Sequence, residues 1–236
     1  MTRRRWIADE VAGSRAVLIG EHARHLAQVL RAQIGQEFEI STGNDVRRGR
    51  VIDIQPDRVE FELGDAVMHP APSSITVAIS IFKFDRMEWA IEKCTELGVA
   101  RIVSLIAART ESHLASAALK RAERWRRIAR QASEQSRGIS PPEIAAPIKL
   151  PELLATHSGP RIVLSEIEQQ IMLKDAVPPD AKALTLAFGP EGGWKEQELN
   201  AFKNAGWTSA SLGPTVLRAE TAVIAAVAVA ASVLQR

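Results

Sequence analysis

Phe188-Gly189-Pro190-Glu191-Gly192-Gly193-Trp194 concentrates the residue types best suited to a ligand site in this chain. It follows the apolar run Ala183 to Phe188 and precedes a helical stretch from Lys195 to Ala205. Glycines at 189, 192 and 193 let the main chain approach a bound molecule, and loops at strand ends commonly carry function. A tight strand-to-helix turn would use the same residues. No Gly-Lys-Ser/Thr ending follows, so the segment is not a P-loop, and it lacks the G-x-G-x-x-G spacing of dinucleotide sites. Nucleoside triphosphates and NAD are therefore poor candidates.

A second Gly-Pro loop runs from Ser211 to Ala222 and leads into the apolar stretch Ala222 to Leu234. Arg218 and Glu220 stand where that helix begins. An arginine in such a place is a preorganised cation for charge developing on a substrate. The plainer alternative is a surface pair, with Glu220 favouring the helix N-terminus and Arg218 answering it.

Basic residues gather in three places. Lys120, Arg121, Arg124, Arg126, Arg127 and Arg130 crowd one helix, Arg47, Arg48 and Arg50 punctuate an N-terminal strand pair, and Lys83 and Arg86 stand at a strand end. Such groups can grip phosphates or simply face solvent. Ser133, Glu134 and Gln135 extend the basic helix with polar groups that could reach a nucleobase. His22, His25, His69, His113, His157 and Cys94 have no zinc-site spacing, so no metal is expected.

These residues need a scaffold to position them. From Ile75 the chain alternates strand-like runs, at Ile75 to Phe82, Arg101 to Ala107, Arg161 to Ser165 and Ala183 to Phe188, with helices at Arg86 to Leu97 and Ser116 to Gln135. That rhythm predicts an α/β sheet, in which ligands bind beyond the carboxyl ends of the strands. Asp85 and Glu88 have capping-box spacing, and Met87, Ile91, Cys94 and Leu97 form an apolar stripe, which assigns Cys94 to the core. Residues 1–70 read as mostly strand, at Ala16 to Ile19, Glu37 to Ser41, Arg50 to Ile54 and Arg58 to Leu63, with one helix at Gly20 to Arg31. The prolines near 71–74 suggest a linker, leaving 75–236 as a second domain.

At 236 residues the chain accommodates two unequal domains. A net charge of +2 is too small to announce a polyanionic partner, so the local basic clusters must decide. The single cysteine excludes an internal disulfide, and no apolar run approaches the roughly 20 residues of a membrane span. With no secretory signal recognised, a cytoplasmic protein away from the membrane is expected.

The pair FGPEGGW (188–194) and LGPTVLRAETA (212–222), in that order, resembles the SPOUT class of methyltransferases, whose C-terminal chain forms a trefoil knot around S-adenosylmethionine. Upstream, KFDRMEWAIEKCTELGV (83–99) and ERWRRIARQASEQSRG (123–138) are similar to the RsmE family, which methylates N3 of a uridine in small-subunit ribosomal RNA. HARHLAQVLRAQIGQEFEI (22–40) is similar to that family's PUA-like domain. Thr215 stands where the family usually has a basic residue, and 108–112 follows the family pattern only loosely.

The resemblance implies a SPOUT α/β-knot domain over 75–236 and a small β-rich, PUA-like RNA-binding domain over 1–70. It implies that S-adenosylmethionine lies among Leu164, Ser165, Glu166, Phe188, Gly189, Pro190, Glu191, Gly192, Gly193, Leu212, Gly213, Val216, Leu217 and Arg218. Arg218 would hold the uridine or stabilise its negative charge, and Glu191 would orient the cofactor, act as base or serve a structural hydrogen bond. RNA would meet Lys83, Arg86, Arg126, Arg127, Arg130, Ser133, Glu134, Gln135, Arg47, Arg48 and Arg50. Expected partners are small-subunit ribosomal RNA, or the assembled subunit, and a second copy of the chain. The alternatives are a SPOUT enzyme acting on another RNA or on a ribose 2′-hydroxyl, and an RNA-binding protein without catalysis.

Overall fold

Short, mostly apolar runs flanked by polar or glycine residues fill the middle of a parallel sheet, where both faces are covered and alternation disappears. Leu184–Phe188 is such a run, buried at all five positions. A computed structural model describes residues 5–69, 74–156 and 159–234. The chain forms two units: Met1–Pro72 with Arg130–Pro141, and Ser73–Ala129 with Pro142–Arg236. The linker expected at 71–74, Ser74 apart, lies outside the described residues, as does His157.

In the first unit the strands are β1 (Trp6–Ile7), β2 (Glu10–Ala12), β3 (Arg15–Ile19), β4 (Glu37–Ser41), β5 (Val46–Gln55) and β6 (Arg58–Ala66). They form one sheet in the order β1-β4-β5-β6-β3-β2, antiparallel except for the β1–β4 pair. Trp6, Leu18, Leu26, Phe38, Ile40 and Phe61 close its core. The helix expected over Gly20 to Arg31 is shorter: α1 (Gly20–Arg24) passes into a π-helical turn at His25–Val29. The amide of Leu30 donates to the carbonyl of His25, five residues back, and Arg31 takes a left-handed φ of 52°, which stops the helix.

The second unit alternates β7 (Ile75–Ser80), α2 (Phe84–Glu96), β8 (Arg101–Ile106), α3 (Ser112–Gln135), β9 (Glu143–Lys149), α4 (Leu150–Leu154), β10 (Arg161–Leu164), α5 (Leu173–Ala176), β11 (Leu184–Phe188), α6 (Glu196–Asn204), β12 (Thr208–Ala210) and α7 (Ala219–Leu234). The last residues of α3 pack with the first unit. The sheet is wholly parallel, in the order β12-β10-β11-β7-β8-β9. Successive side chains alternate across it. Val77 and Ile79 face a core shared with Met87, Ile91, Trp125, Val223 and Val227, while Ala78 faces one shared with Leu105, Phe202 and Trp207.

One local expectation is corrected. Helix α2 starts at Phe84 with no side-chain cap, so Asp85 and Glu88 do not form a capping box. Glu88 is occupied instead by Arg124, whose Nε and Nη2 donate to it at 2.7 and 2.8 Å. Helix α7 starts at Ala219, between Arg218 and Glu220 as expected, the amide of Ala222 donating to the carbonyl of Arg218.

Cys94 is fully buried, and desolvation pushes its thiol from the ordinary 9.0 up to about 12. The thiolate is the reactive form. A thiol-modifying reagent at pH 8 should therefore leave the native protein largely unmodified and label it rapidly once denaturant is added. Prompt labelling of the native protein would mean that the core opens around α2.

Candidate active site

β12, β10 and β11 are neighbours in the sheet and point the same way, so the loops that follow them leave from one edge. Backbone bonds stitch these loops together. Ser165 N donates to Ala210 O at 3.0 Å, Ser211 N to Ile171 O at 2.9 Å, and Leu173 N to Ser211 O at 2.9 Å. The buried indole of Trp194 donates from Nε1 to Leu164 O at 2.9 Å, fastening the glycine loop after β11 to the end of β10. Glu168 braces the loop after β10 by accepting from the amides of Gln170 and Ile171 at 2.8 and 3.2 Å. Those bonds, that from Gln170 foremost, hold its carboxyl below the usual range.

The loop after β11 is tightly packed at two of its glycines. A Cβ on Gly193, whose φ is +68°, would stand 2.2 Å from Glu166 Oε1, and a Cβ on Gly189 would stand 3.2 Å from Trp194 Nε1. Arg109, reaching over from the end of β8, donates to the carbonyl of Gly192 and, at 3.4 Å, to that of Trp194.

Between the three loops lies a cavity of about 530 Å³, within the size range of small-molecule sites. Leu164, Ser165, Glu166, Phe188, Gly189, Pro190, Glu191, Gly192, Gly193, Leu212, Gly213, Val216, Leu217 and Arg218 all line it. So do Ser211, Thr215, Ala219, Ala222 and Arg86. Arg86, expected only among the RNA contacts, reaches the cavity because β7, which it follows, is the neighbour of β11. Its Nη1 donates to Glu191 Oε1 at 3.1 Å, and its Nε lies 3.7 Å from Glu220 Oε1. Glu191 is thus ion-paired, and Glu220 pairs with Arg86 instead of Arg218. The Arg218 side chain is exposed, with no partner among the described residues.

The other predicted RNA contacts separate into engaged and open groups. Arg130 donates to Asp9 at 2.8 Å and to Ile7 O at 2.6 Å, Arg50 pairs with Glu62 at 2.8 Å, Arg126 with Glu123 at 3.4 Å, and Arg47 with Asp45 at 3.9 Å. Lys83, Arg127, Gln135 and Arg48 are exposed. Ser133 and Glu134 are corrected: at 1% and 0% exposure they lie inside the first unit, Glu134 beside His22 and Arg130, and present nothing to a nucleobase. Among the described residues no three His, Cys, Asp or Glu side chains are grouped to hold a metal ion.

A family model described as an RNA methyltransferase domain matches residues 69–231, and one described as an RNA methyltransferase PUA domain matches 18–64. Ribosomal RNA small subunit methyltransferase E of Aquifex aeolicus is 35% identical over 67% of this chain and 68% of its own length. The chain belongs to the ribosomal RNA small subunit methyltransferase E family. The Synechocystis member is 29% identical over 93% of this chain and 74% of its own. The Neisseria gonorrhoeae member, whose crystal structure has S-adenosyl methionine bound, superposes with a TM-score of 0.84 at 30% identity, covering 95% of both chains. Within the methyltransferase E fold the parallel sheet forms the SPOUT domain and the antiparallel one belongs to the PUA-like domain.

Because Gly193 has both a left-handed φ and a carboxylate where a Cβ would go, Gly193→Ala should cost about 1–3 kcal/mol in a denaturant melt. A melt equal to wild type would show that the loop relaxes freely away from Glu166.

Proposed function

We propose that this protein transfers the methyl group of S-adenosylmethionine to N3 of a uridine in small-subunit ribosomal RNA. The observation that carries the proposal is the cavity: the chain whose relatives methylate ribosomal RNA builds, at its three converging strand-end loops, a pocket of nucleoside size walled by main chain. The residues fit such a group. Leu212, Val216 and Leu217 offer apolar contact beside backbone donors and acceptors, as a purine requires, and glycine at 193 lets the main chain pass close to Glu166 at the wall. Bound, S-adenosylmethionine supplies an electrophilic methyl on a sulfonium, so neither a metal nor a protein nucleophile is needed.

The work left to the protein is alignment and charge. Rigid loops stitched by backbone bonds hold their ligands in one geometry, which is the larger contribution to such a transfer. Arg218, with its guanidinium unengaged at the cavity, is placed to orient the uridine and to stabilise the negative charge left as N3 loses its proton. Exposed Arg48 in the first unit, and exposed Lys120 and Arg127 on α3, are among the cations available to phosphates. Helix α7 leaves Ile224, Ala225, Val229 and Val233 half-buried, a face suited to a second copy of the chain, and we read the enzyme as a homodimer. A ribosomal RNA substrate would support a cytoplasmic location.

Purified protein incubated with labelled S-adenosylmethionine and unmodified small ribosomal subunits should yield 3-methyluridine on nucleoside analysis. Cofactor binding without methylation of the subunit would send the reaction to another RNA. Arg218→Ala should slow methyl transfer by about a hundredfold or more while changing cofactor affinity by only a few fold. Equal activity in Arg218→Ala would remove that residue from the mechanism.

A further inference from the structure

Arg86 reaches two carboxylates that belong to separate elements. Glu191, in the loop after β11, has a side chain 33% exposed; Glu220, in the first turn of α7, has one only 6% exposed, and its Oε2 has no hydrogen-bond partner among the described residues. A buried carboxylate short of hydrogen bonds is costly. A helix N-terminus can be complemented by an exposed acid, so the dipole gives no reason to bury this one. What Glu220 does have is the guanidinium of Arg86, a cation that lines the cavity.

We propose that Arg86 is a positioning residue: buried Glu220 fixes its guanidinium, and the guanidinium fixes Glu191 and with it the 189–193 loop at the cavity. The loop is then gripped by two arginines that are not part of it, Arg86 on the carboxylate of Glu191 and Arg109 on the carbonyl of Gly192. Pro190 and Gly193 close the loop with a turn, Gly193 N donating to Pro190 O at 2.8 Å, so a displacement at Glu191 is passed to the glycines that face the cavity. The geometry stands by itself; the consequence for rate rests on the methyl-transfer reading above.

Three variants test it: Arg86→Gln, Arg86→Lys, and the double variant Arg86→Gln with Glu220→Gln, which removes the buried charge together with its partner. Hydrogen exchange of the ligand-free protein reads the loop directly, and the amide of Gly193, bonded to Pro190 O, should exchange about tenfold faster in Arg86→Gln. Single-turnover methylation of unmodified small ribosomal subunits should slow by about ten- to a hundredfold, with the KM for subunits changed less than about threefold, as expected for misplacement rather than a lost contact. Arg86→Lys should recover part of both. The double variant should regain thermal stability lost in Arg86→Gln but neither loop protection nor rate.

A double variant with wild-type exchange and rate would overturn the proposal, because Arg86 would then serve only to neutralise Glu220. So would a raised KM at unchanged rate, which would make Arg86 an RNA contact. Should the wild-type protein leave small subunits unmethylated while the exchange pattern appears as described, the methyl-transfer reading falls and the positioning of the loop by Arg86 stands.

Discussion

Neighbouring strands in a sheet lie about 4.8 Å apart, and three of them, β12, β10 and β11, deliver their connections at the same edge of this one. Loops arriving that close together cannot each bring a full set of side chains. Part of the conflict is met by a glycine where two of these loops touch, Gly193 lying against Glu166. A pocket made this way is lined by four glycines, at 189, 192, 193 and 213, with apolar contact from Leu212 and Leu217. Such walls suit a flat, polar-edged heterocycle better than a polyphosphate, which needs concentrated cationic charge or a helix N-terminus aimed at it.

The ionic groups at the cavity divide between holding and acting. Arg86 and Arg109 are committed to protein acceptors, one to carboxylates and the other to loop carbonyls. Arg218, one residue before α7, is committed to none among the described residues. A guanidinium already saturated by protein stiffens a loop at no further cost in side-chain entropy when a ligand arrives, whereas an unengaged one is the kind that can respond to a substrate's charge.

Much of this was legible in the residues. The glycine spacing of 188–194 and the Gly-Pro loop of 211–222 marked two walls of the cavity, and strong periodicity marked α2, α3 and the central strands. The expectation of a SPOUT α/β domain preceded by a β-rich PUA-like one holds. What escaped were elements too short to carry a period, such as α5 (Leu173–Ala176) and β12 (Thr208–Ala210), the edge strand β9, whose run Glu143–Lys149 is broken by Pro147, and every feature that depends on strand order. Arg86 illustrates the second kind. Nothing in its neighbourhood of the chain says that β7 lies beside β11, and without that adjacency an arginine at a strand end looks like any surface cation. Ser133 and Glu134 failed for a related reason: helical spacing gives a face but not what covers it, and here the cover comes from the N-terminal strands and helix.

The end of α3 has a consequence for how this protein is divided. Residues 130–141 belong to the unit formed by the first 72 residues, although the chain visits four elements of the other unit before reaching them. Arg5 donates to the carbonyl of Arg137 and pairs with Glu39, Arg130 ties down Asp9 and Ile7, and Ser41 donates to the carbonyl of Ile139. The N-terminal unit is therefore not a bead on a string. Its amino-terminal segment is incomplete as a folding unit, and a graft of this RNA methyltransferase PUA domain onto another protein would have to carry a helix end encoded some sixty residues downstream. A domain swap by recombination at one junction would leave Asp9 and Ser41 without their partners Arg130 and Ile139, which ties the inheritance of the two units together.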